Sequence, residues 1–322
     1  MEKVKVGVVG VGHLGRYHAL NYARIPDVNL VGVTDSDGKK AEGVASECRC
    51  GAYDNLDFLL DRVEAVSIVV PTDRHFDVGR RVLERGIHCL IEKPIARDLE
   101  EADCLIRLAE EKNLVLQVGH IERFNPAIRA LEGFSLNPRF IESHRLALFN
   151  PRGTEVAVVL DLMIHDIDII LSMVKSPVEC VDASGVAVVS ETIDIANARL
   201  RFENGCVANL TASRISQKKM RKMRMFQRNA YVSVDFLQKA SEIYQLDEGR
   251  AEHDMILGEI GVGDRKRRIA YWRPEVPEGE ALQKELETFI QSVRGEHPPA
   301  VTGEEGRAAL SAAIQVLQRI ED

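Results

Sequence analysis

The chain is 322 residues long, more than one compact core accommodates and suited to two domains. Hydrophobic residues make up 45% and charged residues 29%, a balance that argues against a disordered chain. The net charge of -8, with a pI near 5.7, argues against a general binder of nucleic acid or anionic membrane, though a local basic patch can still occur.

The opening segment Met1-Glu2-Lys3-Val4-Lys5 alternates charge with valine and leads straight into a strand. It lacks the apolar core of a signal peptide, and no apolar run reaches the roughly 18 residues that span a bilayer. A cytoplasmic protein without a membrane partner is expected. Up to residue 121, short β-branched runs alternate with longer amphipathic segments. Strands are predicted at 4–9, 30–34, 65–70, 88–91 and 115–118, and helices at 13–25, 38–47, 73–85 and 99–112. Continuous apolar strands separated by helices signal βαβ units and a parallel sheet covered on both faces. Right-handed crossovers then leave a doubly wound α/β fold as the simplest outcome.

The pattern changes after residue 121. Helices are predicted at 126–132 and 156–174, then strands at 181–189, 193–202, 206–215, 220–226 and 231–235. Turn signals such as Glu203-Asn204-Gly205 join the runs closely, as in an antiparallel sheet. Two helices, 281–294 and 304–320, close the chain. The expected organisation is a first domain over 1–121 and an α+β domain over 122–322, with the closing helices candidates to pack back on the first. An open-faced, mainly antiparallel sheet has a face to cover, which predicts a homodimer or homotetramer built across it. Six cysteines at 48, 50, 89, 104, 180 and 206 include no CxxC and are expected reduced in the cytosol. Cys89 and Cys206 sit among apolar residues as core packing, and Cys48 with Cys50 has too few partners for a metal site.

Gly10-Val11-Gly12-His13-Leu14-Gly15 places a GxGxxG directly after a strand and at the opening of a helix. Gly10 permits the tight turn, Gly12 lets backbone approach a pyrophosphate, and Gly15 lets helix and sheet pack closely. The helix start at His13 and Leu14 faces the phosphates. Asp35 ends the next strand, 20 residues past Gly15, which is the dinucleotide-binding context. A carboxylate there accepts from the adenosine ribose hydroxyls and repels a 2′-phosphate, so NAD is favoured over NADP. Asp37 adds negative charge, and Lys39 and Lys40 on the following helix are the groups that could compensate.

Two further strand ends carry Pro71-Thr72-Asp73-Arg74-His75 and Glu92-Lys93-Pro94, and the second domain carries Asp161-Leu162-Met163-Ile164-His165. Together with the glycine turn, this set resembles the Gfo/Idh/MocA family end to end. The resemblance implies a Rossmann domain joined to an open-faced antiparallel sheet, and NAD(P)-dependent oxidation of sugar or polyol hydroxyls. It also implies that Pro71, Thr72 and His75 line the nicotinamide half of the cofactor, that Glu92 contacts the nicotinamide ribose, and that Lys93 reaches the substrate hydroxyl. Independently, a residue before proline is held extended, and Lys93 lies at a carboxyl strand end where open α/β sheets bind ligands.

On a regular helix Asp161, His165 and Asp168 are i, i+4 and i+7 and share a face, with apolar neighbours that bury it. A carboxylate one turn from an imidazole orients a histidine base and raises its basicity. A satisfied core Asp–His pair and a metal site at 161, 165 and 168 are the other readings, though the reaction needs no metal. Oxidising a secondary alcohol requires a base with a pKa near ambient pH, which assigns proton removal to His165, its orientation to Asp161 and alkoxide stabilisation to Lys93.

Many family members have small glycines before this aspartate, whereas this chain has Ala157-Val158-Val159-Leu160. The stretch from Gly119 to Pro126 (GHIERFNP), with Asp161 to Asp166, is similar to the nucleotide-sugar branch, which includes enzymes oxidising C3 of UDP-N-acetylglucosamine in amino-sugar pathways. A free aldose, inositol or sugar acid is the rival substrate, and a non-catalytic NAD-binding regulator the rival class. The run Lys218-Lys219-Met220-Arg221-Lys222-Met223-Arg224 is either a solvated edge that blocks strand pairing or, in part or through Arg123 and Arg214, a diphosphate site. Asn125 joins Arg123 and Arg214 as a candidate substrate contact. No aromatic residues interleave the charges, so a nucleic-acid partner is not expected.

Overall fold

The computed structural model describes residues 2–151, 153–247, 255–261, 263 and 266–321; the termini Met1 and Asp322 lie outside them. The chain divides into two compact units, 1–121 with 279–310, and 122–278 with 311–322. The second predicted domain therefore loses 279–310 to the first unit.

The first unit alternates strands and helices: β1 (Val4–Val9), α1 (His13–Tyr22), β2 (Val28–Thr34), α2 (Gly38–Cys48), β3 (Gly51–Ala52), α3 (Leu56–Leu60), β4 (Ala65–Ile68), α4 (His75–Glu84), β5 (His88–Glu92), α5 (Leu99–Glu111) and β6 (Leu116–Gly119). All pairings are parallel, in the order β3-β2-β1-β4-β5-β6. The chain leaves β1 toward β3, then returns to β4 on the other side of β1. That reversal creates a crevice at the carboxyl ends of β1 and β4, where ligands bind in open α/β sheets. β4, β5 and β6 are buried almost throughout, as strands covered on both faces are, with Ser67 and Gln117 buried among their apolar residues. Later in the chain, Leu286, Phe289 and Ile290 of α8 (Ala281–Val293) join Tyr22 and Ile25 in the core.

The second unit holds α6 (Pro126–Arg129), β7 (Phe140–Leu146), a π-turn at Val159–Met163 leading into α7 (Ile164–Val174), and strands β8 to β15. These strands run β8 (Val178–Val186), β9 (Ile195–Phe202), β10 (Val207–Ser213), β11 (Met220–Gln227), β12 (Ala230–Asp235), β13 (Ala240–Asp247), β14 (Met255–Ile260) and β15 (Arg267–Trp272). The nine strands order as β14-β15-β13-β12-β11-β7-β10-β9-β8, antiparallel except between β7 and β10.

Four of these strands escape sequence reading. β7 does so for a clear reason: its inward face is Ile141, Ser143 and Arg145, so the period-2 pattern has no hydrophobic signature. Because β7 pairs with β11, the basic run lies in the middle of the sheet, which corrects the edge reading. Lys222 pairs with Asp235 at 3.1 Å and Arg224 with Glu142 at 2.8 Å, across strands, while Met223 and Met225 are buried beneath. On the face opposite those methionines, Phe140, Phe226, Tyr231, Tyr244 and Tyr271 form a row over five strands, with ring centroids 4.9 to 5.8 Å apart.

Candidate active site

In the first unit the carboxyl ends of β1, β2, β4 and β5 surround a cavity of about 840 Å³. Gly10 and Gly12, Leu14, Asp35, Pro71 with Thr72, His75, Glu92 and Lys93 all line it, so nine sequence-chosen residues are gathered here. Gly10 has φ +85°, and a Cβ there would stand 2.6 Å from the Val69 carbonyl oxygen. Such backbone suits glycine alone. A Cβ on Gly15 would overlap the Gly10 carbonyl, whereas one on Gly12 would meet nothing within 4 Å. Gly15 is thus a packing residue, Gly12 an open approach for a ligand. His13 begins α1 at the surface, edge-on to Tyr17, and does not line the cavity. The first turn of α1 carries no acidic residue, which leaves its N–H groups suited to an anion.

Asp35 is oriented from two sides. Its Oδ2 accepts the Val11 N–H at 2.7 Å, and its Oδ1 accepts the Asp37 N–H at 2.9 Å. Asp37 instead caps α2 through the Lys39 N–H, a structural task, and Lys40 is 3.7 Å from Asp37. The glycine turn, the open helix start and a fixed carboxylate at the end of β2 match the phosphates and ribose of NAD, with the carboxylate opposing a 2′-phosphate.

His75 is buried, its Nδ1 2.7 Å from the Pro94 carbonyl and its Nε2 2.9 Å from that of Val70. Burial outweighs these contacts and pulls its pKa below the usual 6.5. The histidine ties the Val70–Pro71 turn to the segment after Lys93, and the Lys93–Pro94 peptide is cis. Glu92 is 8% exposed at the end of β5. Its Oε1 lies 3.1 Å from Nε2 of His18, a residue that sequence reading passed over. Lys93 is half-buried beside it.

In the second unit the π-turn overturns the assumption of a uniform helix, so the even spacing of Asp161, His165 and Asp168 does not carry through. Asp161 and His165 are half-buried; Asp166 and Asp168 are buried. Asp168 takes a bidentate pair from Arg123, at 2.8 and 2.7 Å. Asp166 takes one from Arg145, at 2.9 Å twice, and Arg145 also donates to Glu122 at 2.7 Å. Burial raises the Glu122 pKa while Arg145 and Arg221 lower it, and the result is below the usual carboxylate range. Two arginines therefore clamp the first turns of α7 just after His165. Only a folded β7 reveals this, since nothing in the local sequence marks Arg145 as an inward residue. Among the described residues no three His, Cys, Asp or Glu side chains form a metal-ligand group.

The three candidate substrate contacts carry structural duties. Arg214 is 5% exposed and donates to the carbonyls of Gly153, Val156 and Ile193, beside Asp194 at 3.7 Å. Asn125 caps α6 through the Ala127 N–H and donates to Glu122 at 3.0 Å. Arg123 is engaged by Asp168. The Arg214 guanidinium is thus largely buried and occupied by backbone carbonyls.

Comparison with known proteins places the chain in a family. Residues 4–120 match the model of an oxidoreductase family with an NAD-binding Rossmann fold, and residues 127–232 match the GFO/IDH/MocA C-terminal domain. The chain belongs to the Gfo/Idh/MocA family and is an NAD-binding oxidoreductase of the dehydrogenase type. It is 43% identical, over 100% of its length and 98% of the relative's, to a UDP-N-acetylglucosamine 3-dehydrogenase of Acidithiobacillus ferrooxidans. A crystal structure of that enzyme superposes with a TM-score of 0.89, at 41% identity over 100% of this chain and 99% of that one. A myo-inositol 2-dehydrogenase of Thermotoga maritima is 25% identical over 99% of this chain and 97% of its own length. No helix among the described residues is long and apolar enough to cross a membrane.

Proposed function

We propose that this enzyme oxidises the C3 hydroxyl of UDP-N-acetylglucosamine to a ketone. The observation that carries the proposal is the 43% identity sustained over the full chain with a relative of that activity, against 25% for the inositol relative. Bound NAD supplies the hydride acceptor. His165 takes the hydroxyl proton, Asp161 orients the imidazole, and Lys93 donates to the substrate oxygen as negative charge develops on it. Support comes from the half-buried state of all three, and from the arginine clamps that hold the helix of His165. Pro71, Thr72, His75 and Glu92 hold the nicotinamide half, while Gly10, Gly12, Leu14 and Asp35 hold the phosphates and adenosine ribose.

The row of five aromatic rings offers the face for a homodimer or homotetramer, and six free cysteines suit a cytoplasmic protein. The test incubates purified enzyme with NAD and each of UDP-N-acetylglucosamine, free N-acetylglucosamine, myo-inositol and a sugar acid, following reduced nicotinamide. Turnover confined to the UDP-sugar is expected. Turnover of inositol or a free sugar, with none of the UDP-sugar, refutes the assignment.

A further inference from the structure

The buried face of α1 consists of Gly15, His18, Ala19 and Tyr22. Against a parallel sheet an apolar residue is the simplest choice at 18, since burying an imidazole is unfavourable without a partner. His18 is 0% exposed, and Nε2 reaches Oε1 of Glu92 at 3.1 Å. Nδ1 is also buried, with no hydrogen-bond partner among the described residues. On another side of the same carboxylate lies Gly119, at the end of β6. A Cβ there would stand 2.9 Å from the Glu92 carboxyl carbon and 2.9 Å from Oε1, so no side chain fits unless Glu92 shifts.

Imidazole chemistry then selects one tautomer. A proton on Nδ1 would be a buried N–H without an acceptor, whereas a lone pair there loses far less. The favoured tautomer has Nε2–H donating to the carboxylate. We infer that His18 is a positioning residue for the cofactor: with Gly119 it fixes the Glu92 carboxylate, engages Oε1, and leaves Oε2 as the acceptor for a hydroxyl of the nicotinamide ribose. This rests on Glu92 being a cofactor ligand.

Four proteins test it: wild type, His18→Leu, His18→Gln and Glu92→Ala, each titrated with NAD by calorimetry in the absence of substrate. Gln can place an amide N–H near the histidine Nε2; Leu cannot. His18→Leu is expected to weaken NAD by about ten-fold, the worth of one hydrogen bond to a charged group, with His18→Gln recovering most of the loss. The ¹⁵N shifts of the imidazole in cofactor-free enzyme near neutral pH are expected to show Nε2 protonated and Nδ1 bare. Wild-type affinity in His18→Leu, equal losses in the Gln and Leu variants, or a proton on Nδ1 overturns the inference. If His18→Leu does not fold, the tautomer and the Gln variant still decide. Unchanged affinity in Glu92→Ala removes Glu92 as a ligand instead, a result distinct from the failure of His18 alone.

Discussion

Replacing Arg145 with methionine tests the clamp on α7. Arg145 is 2% exposed, donates three hydrogen bonds of 2.7 to 2.9 Å, and lies 5.6 Å from the centre of the Phe236 ring. Methionine keeps much of the aliphatic stem but strands the Glu122 and Asp166 carboxylates in a buried site. Breaking a buried pair by removing one partner costs about 3–5 kcal/mol. Arg221, 3.4 Å from Glu122, still faces one of the two acids, so the expected loss is at the lower end, about 3 kcal/mol. The pH dependence has a definite sign. Without Arg145, Glu122 loses the main partner that offsets its burial, so its folded pKa rises relative to wild type and the variant loses stability relative to wild type as pH rises past about 4. In wild type Glu122 is shifted the other way, so the deficit is largest at neutral pH. Trp272 is the sole tryptophan, sits in β15 and packs edge-on to Phe134, so its fluorescence during urea unfolding reports the second unit. A loss below about 1 kcal/mol at neutral pH, or a deficit that grows on acidification, refutes the clamp.

Lys93→Met is expected to retain NAD in calorimetry yet lose turnover of the UDP-sugar by about 10²–10⁴-fold; wild-type-like turnover would remove Lys93 from the chemistry. Asp35→Ala removes the carboxylate that opposes a 2′-phosphate, and the NADP-to-NAD ratio of kcat/KM is expected to rise about ten-fold or more in initial-rate assays. His88 Nδ1 accepts the Val115 N–H at 2.9 Å, and burial lowers its pKa below 6.5, as it does for His75. Both histidines contribute stability above pH 6.5 that is lost as pH falls through their folded pKa values. Tm should therefore fall on acidification from neutral pH, and His88→Asn, which keeps an acceptor but does not titrate, should flatten that slope. An unchanged slope in the Asn variant would exclude His88 as a contributor.

Local sequence carried the main strands and helices of the first unit up to residue 121, but not the short β3 and α3. Its strands are mostly apolar, its helices amphipathic, and GxGxxG followed by Asp35 describes a chain stretch whose geometry is set by neighbouring residues. Pro71 to His75 and Glu92-Lys93 were likewise legible, because each lies directly at a strand end. In the second unit the helices α6 and α7 were legible, and strands chiefly where hydrophobic alternation survives, as in β9 and β10. β7 was hidden because its inward face carries a serine and an arginine that only distant acids neutralise. The same limit governs the roles of single residues. Sequence can place an arginine at 214 or a histidine at 18, but whether each faces solvent, carbonyl groups or a carboxylate depends on segments tens of residues away. Backbone conformation follows from neighbours along the chain. Which charges lose their water, and which partners replace it, is decided only when the chain folds back on itself.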